Sequence, residues 1–149
     1  MKKISFTVFC MMITAIAFSQ VESPIKWSYA AVKKDANLYE IVLTALVPEP
    51  WHIYSQNMKE GGPSPTKITF SKNPLITLQG KTIEKGNLKT MRDKNFDNME
   101  VKSYSNKVQF VQMVKARAKT NIIGTINFMV CNDRECKPPT DEHFSIKLN

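Results

Sequence analysis

Leu38-Tyr39-Glu40-Ile41-Val42-Leu43-Thr44-Ala45-Leu46-Val47 is the stretch on which the fold turns. In an extended chain Tyr39, Ile41, Leu43, Ala45 and Val47 fall on one side, and Glu40 and Thr44 on the other. A period of two marks a strand with one buried face. Pro48 and Pro50 stop it, because proline cannot donate to a sheet ladder. Working outward, similar runs are Ile25 to Lys33, Thr66 to Ser71, Lys107 to Lys115, Ile122 to Cys131 and His143 to Leu148. In the last of these, Phe144, Ile146 and Leu148 alternate with His143, Ser145 and Lys147, which places His143 on the solvent side. No run of ten or more residues carries helical spacing. Seven or so short strands, each with an apolar face to bury, predict an all-β sandwich of two antiparallel sheets. Periodicity does not give the strand order.

The chain opens Met1-Lys2-Lys3 and continues from Ile4 to Phe18 without a charge. A basic start, a short apolar run and small residues near its end predict a secretory signal peptide over residues 1–20, cut after Ala17 or Gln20. The run is short for a bilayer span, which takes about 20 predominantly apolar residues. Cys10 lies mid-run behind bulky Phe9, a poor lipid-acceptor setting. Residues 21–149 then form one domain, large enough to bury its own core, with no later stretch apolar enough to span a membrane. Loss of Lys2 and Lys3 lowers the formal net charge from +8 to +6. For an exported protein this basicity points to solubility and partner steering and away from nucleic acid.

Two stretches break the strand pattern. Glu60-Gly61-Gly62-Pro63-Ser64-Pro65 is turn-rich, and Met91 to Glu100 is a polar segment with one large aromatic, Phe96. The chemistry lies in Phe128-Met129-Val130-Cys131-Asn132-Asp133-Arg134-Glu135-Cys136-Lys137-Pro138-Pro139. Cys131 ends an apolar strand, four polar residues form a turn, and Cys136 precedes a proline pair that stiffens the outgoing chain. Both sulfurs belong at one end of the sandwich, and the fold-back brings the two Cβ atoms within the roughly 4 Å a disulfide requires.

An even cysteine pair in an oxidising compartment can form a disulfide, whether structural or reactive. As a staple it does little: chain entropy gives so short a loop about 2 kcal/mol, against about 3 kcal/mol for fifteen residues. The loop charges do not separate the two cases, because Asp133 and Glu135 oppose Arg134 and Lys137. Zinc is a weaker alternative. His52 and His143 could join the cysteines, but a second closely spaced ligand pair is missing.

Cys131 to Thr140, two cysteines followed by Pro138-Pro139, resembles the active-site hairpin of the N-terminal domain of the DsbD thiol:disulfide interchange family. Trp51-His52-Ile53-Tyr54-Ser55-Gln56 with Gly61-Gly62-Pro63 is similar to its aromatic segment, especially in Bacteroidetes-type members. Asp93 to Phe96 resembles the segment that caps its cysteines. The resemblance implies an immunoglobulin-like sandwich that relays electrons as a periplasmic thiol–disulfide oxidoreductase, with no cofactor and no metal. Carried over, Cys136 forms the mixed disulfide with a partner and Cys131 resolves it. Phe96 covers the sulfurs until a partner displaces it, and Asp93, His52 and Tyr54 line the site. The partners implied are oxidised periplasmic thiol–disulfide proteins and a separate membrane donor of the DsbD transmembrane type, since that family's membrane conduit and thioredoxin-like domain have no counterpart in these residues. The sequence departs from the family in having four residues between the cysteines where well-known members have five. Two other functions compete with the relay. One is a secreted binding module with a structural disulfide, and the other a chaperone-like adaptor in which the pair is regulatory.

Overall fold

The computed structural model describes residues 23–149. The signal-peptide expectation for residues 1–20 lies outside the described residues. Ten strands follow in chain order: β1 (Lys26–Lys33), β2 (Leu38–Val47), β3 (His52–Tyr54), β4 (Lys67–Phe70), β5 (Ile76–Gly86), β6 (Lys89–Asp93), β7 (Met99–Tyr104), β8 (Asn106–Ala116), β9 (Thr120–Cys131) and β10 (Cys136–Leu148). One 3₁₀ turn, Lys94–Phe96, joins β6 to β7.

The strands form two antiparallel sheets, the predicted sandwich. The first runs β1-β2-β8-β5. The second runs β10-β9-β3-β7-β6, and β4 shares the β3 edge of β9 by pairing with residues 124–127. The decisive stretch behaves as its pattern requires: Tyr39, Ile41, Leu43, Ala45 and Val47 are buried in β2. They meet Ile53, Ile122, Ile126, Phe128, Val130, Phe144, Ile146 and Leu148 of the second sheet in one core. Each fully buried side chain of this kind contributes roughly 1.5–3 kcal/mol. Trp27 of β1 closes one side, packing on Phe110 and Phe128 with ring centroids 6.0 and 5.3 Å away.

Three features differ from the sequence expectation. Ile76–Gly86 forms an eleven-residue edge strand. Its exposed Leu78 and Ile83 blur the alternation by which a strand is recognised. Met91 to Glu100, expected as an irregular polar segment, is mostly a hairpin whose strands β6 and β7 pair from Lys89↔Ser103 to Asp93↔Met99. The final strand starts at Cys136 and not at His143, and it absorbs Pro138 and Pro139 in a bulge between Lys137 and Thr140. A bulge leaves residues outside the ladder, which is where proline is tolerated. His143 is exposed, as its alternation requires, and hydrogen-bonds Thr125 at 3.0 Å.

Candidate functional site

Along β9, Ile122, Ile126, Phe128 and Val130 point into the core, so the alternate residues Met129 and Cys131 point out of the opposite face of that sheet. Cys131 stands directly opposite Cys136 of β10 and opposite His52 of β3. Residues opposite one another in an antiparallel ladder share a face. His52, Cys131 and Cys136 therefore form one row across three neighbouring strands, on the outer face of the sandwich. The two sulfurs are bonded, with Cα atoms 4.1 Å apart.

An outward disulfide would be open to solvent were this end of the sheet bare, but it is roofed. Tyr54, Val101 and Cys131 are buried in a small second core, against which Met58, Met91, Phe96, Met99, Met129 and Cys136 pack. The burial is uneven: Cys131 has 0% of its surface exposed, whereas Cys136 is only partly buried. The β6–β7 hairpin supplies the roof. Asp93 caps the 3₁₀ turn by accepting from the Asn95 amide at 2.9 Å, and Asp97 and Asn98 carry the chain back through left-handed conformations at φ 49° and 55°. Asn and Asp enter that region more readily than other side chains. Phe96 thereby sits half-buried, edge-on to Tyr54 with centroids 6.1 Å apart.

The turn between the cysteines is held by Asn132. Its side-chain oxygen accepts from the amides of Arg134 and Glu135 at 2.8 and 2.9 Å, and its own amide donates to the Glu135 carbonyl at 2.9 Å. Asn95 of the cap donates to the Asn132 carbonyl at 3.1 Å, which ties roof to turn.

Behind the sulfurs lies a buried polar trio. Tyr54 Oη donates to Asp93 Oδ2 at 2.5 Å, and His52 Nε2 lies 3.3 Å from Tyr54 Oη and 3.5 Å from Asp93 Oδ2. Because the Tyr54 proton goes to Asp93, its oxygen accepts from Nε2–H. Burial pushes the His52 pKa below its ordinary 6.5 despite the opposing pull of Asp93. The imidazole is neutral at pH 7. Burial, reinforced by the bond to Asp93, raises the Tyr54 phenol above its ordinary value. A cavity of about 80 Å³ between roof and turn reaches His52 and Asp93 of this trio, with Met91, Asn95 and Asn132 also lining it. Arg92, Lys94 and Asp133, all exposed, form its rim. Beside the row, Lys137 Nζ lies 5.3 Å from the centroid of Trp51.

All six residues singled out in the sequence, Cys131, Cys136, Phe96, Asp93, His52 and Tyr54, therefore meet at one end of the second sheet. The sequence reading missed Asn95, Asn132 and the four methionines. Asn132-Asp133 was legible as an Asx turn. The methionines come from four separate segments, and no spacing links them. Among the described residues, no group of three or more His, Cys, Asp or Glu side chains is placed to hold a metal ion, and no helix is long and apolar enough to cross a membrane.

A β-sandwich with a capped disulfide on its outer sheet face defines a class of thiol–disulfide proteins, and comparison with known proteins specifies it. Residues 19–148 match the family described as "Thiol:disulfide interchange protein DsbD, N-terminal", and the chain belongs to that family. At family level its chemistry is thiol–disulfide exchange. Among solved structures, the N-terminal periplasmic domain of ScsB from Proteus mirabilis matches with a TM-score of 0.61 at 17% identity, over 81% of this chain and 45% of that one. The chain thus spans less than half of that structure, and the likeness bears on the fold. The reduced N-terminal domain of DsbD from Neisseria meningitidis matches with a TM-score of 0.49 at 15% identity, over 83% of this chain and 85% of that one. No curated protein matches the sequence.

Proposed function

We propose that this chain is a periplasmic electron relay that exchanges the Cys131–Cys136 disulfide with protein partners. The observation that carries the reading is the unequal burial of the two sulfurs beneath a small hairpin roof. Exchange begins when a thiolate attacks one sulfur of a disulfide along an open approach. Cys136 is the accessible member and forms the mixed disulfide. Cys131, buried beside it, resolves the intermediate. Phe96 and its 3₁₀ turn restrict approach to partners able to move them, which spares the reduced pair from wasteful oxidation. His52, Tyr54 and Asp93 line the site. Electrons arrive from a separate membrane donor of the DsbD transmembrane type and leave to oxidised periplasmic thiol proteins.

The test is the equilibrium reduction potential of the pair, read by mass after alkylation across a thiol/disulfide buffer series. A relay has a potential in the range of exchange proteins, roughly −120 to −270 mV, whereas a structural bridge lies below about −300 mV. Cys131→Ser should then accumulate mixed disulfides through Cys136, and Cys136→Ser should lose transfer. A potential well below that bound, with no trapped adduct, sinks the relay and leaves a binding module with a structural disulfide.

A further inference from the structure

Cys131 poses a chemical problem that the roof creates. To resolve a mixed disulfide on Cys136 it must lose a proton, yet it is fully buried in an apolar cluster where a thiolate is disfavoured. Bulk water has no direct access to it. A base must be close at hand.

The row across the sheet supplies one. His52 is the ladder partner of Cys131 on the side opposite Cys136. Directly opposite residues hold their Cβ atoms about 4.5–5.5 Å apart on the same face, so the imidazole stands next to the Cys131 side chain in the row. With Nε2–H engaged by Tyr54 and Asp93, the neutral ring keeps Nδ1 as its acceptor. The cavity against His52 and Asp93 has room for a few water molecules, and its exposed rim opens a route to solvent.

We infer that His52 is the proton acceptor for Cys131 in the resolving step, with Asp93 and Tyr54 as positioning residues and the cavity as the proton's exit. The inference rests on the exchange reading above. Glutathione disulfide serves as the oxidant. The Cys136 thiolate attacks one of its sulfurs, a Cys136–glutathione bond forms, and one glutathione thiolate leaves. The Cys131 thiol then gives its proton to His52, and its sulfur attacks Cys136 Sγ. The Cys136–glutathione bond breaks, the second thiolate leaves, and the imidazolium releases its proton through the cavity. The dithiol loses two electrons, and glutathione disulfide gains them.

The groups around His52 are Tyr54 on its own strand, Asp93 from β6, Asp133 from the turn and Cys131, its ladder partner on β9, with Arg92 and Lys94 at the cavity rim. Of the two carboxylates, Asp93 already accepts from Tyr54 and from the Asn95 amide, and Asp133 is exposed on the turn.

The experiment follows ring closure after mixing the reduced domain with glutathione disulfide, by acid quench, alkylation and mass, from pH 5 to 9. In the wild type the closure rate should level off above an inflection below 6.5, the ordinary histidine value. In His52→Gln closure should slow about a hundredfold at pH 7, within the usual range for one general base. It should also rise tenfold per pH unit, while adduct formation at Cys136 keeps its wild-type rate. His52→Ala should regain speed with added imidazole. Wild-type closure rising tenfold per pH unit without a plateau overturns the inference even if no variant folds. So does a His52→Gln domain that closes at the wild-type rate. Failure to form any Cys136 adduct would instead overturn the exchange reading beneath it.

Discussion

Asp93 is only 2% exposed, and Tyr54 is the hydroxyl that satisfies it. Removing one partner of a buried charge-assisted bond costs more than the bond's net contribution, because the other partner stays desolvated. Tyr54→Phe should therefore lower the stability of the oxidised domain by about 1.5–3 kcal/mol in urea unfolding. Tyr29 makes the same kind of bond to Glu142 at 2.7 Å, but both residues are only partly buried, so water can replace it. Tyr29→Phe should cost about 0.5–1.5 kcal/mol. Equal losses would mean that Asp93 is hydrated through the cavity. Of these contacts, the sequence shows His52 and Tyr54 two residues apart in the aromatic segment and Asp93 three residues before the lone aromatic of its own segment. That Asp93 reaches back to Tyr54 across 39 residues was not legible, since no local pattern encodes it.

The roof and β9 carry the predictions that belong to whole elements. The 3₁₀ turn at the tip of the roof buries none of its own residues and is held by one aromatic edge contact and the Asn95–Asn132 bond. Few buried contacts make a segment easy to open. Phe96→Ala should speed reduction of Cys131–Cys136 by dithiothreitol severalfold while leaving Cys136 essential, as measured by free-thiol release. An unchanged rate would show that the turn, and not the ring, limits access. In β9 the critical position is Gly124. A Cβ there would lie 2.4 Å from the Phe144 ring and 2.5 Å from the Thr69 carbonyl, so β4 and β10 close onto it from both sides. Gly124→Ala should destabilise the domain by about 1–3 kcal/mol or more, the cost of overpacking a core, read as a lower thermal midpoint. Strands such as β2, β8 and β9 were legible because one face is buried and the other is not. β5 was obscured by its exposed apolar side chains, and β6 and β7 by the many polar residues on a hairpin that covers a site instead of the main core.

At the scale of the molecule, titratable groups joined across elements set a pH window for stability. His52 has a folded pKa below 6.5, so the unfolded chain binds the extra proton first on acidification. Its contribution is intact above pH 6.5 and is lost as pH falls from there through the folded value. At the alkaline end Tyr29, Tyr54 and Tyr104 donate to Glu142, Asp93 and Glu84, and burial raises all three pKa values above 10.0. The unfolded chain then loses its phenolic protons first, so stability falls as pH rises beyond 10. Urea midpoints of the oxidised domain should hold steady between pH 7 and 9 and drop on both sides, with His52→Gln losing part of the acid-side drop. An acid limb that His52→Gln leaves unchanged would assign it to other groups.

The sequence alone determined a two-sheet β-sandwich, a cysteine-bearing turn after an apolar strand and the residue types around it, because alternation, turn chemistry and cysteine spacing are local. Whether the cysteines point into the core or out of it was decided by register. Val130 and Cys131 are adjacent, and a slip of one residue exchanges their faces. The pairing of β9 with β3 and β10 set that register and so created the row His52, Cys131, Cys136. It left the sulfurs outside the main core, where only a hairpin from another part of the chain could cover them.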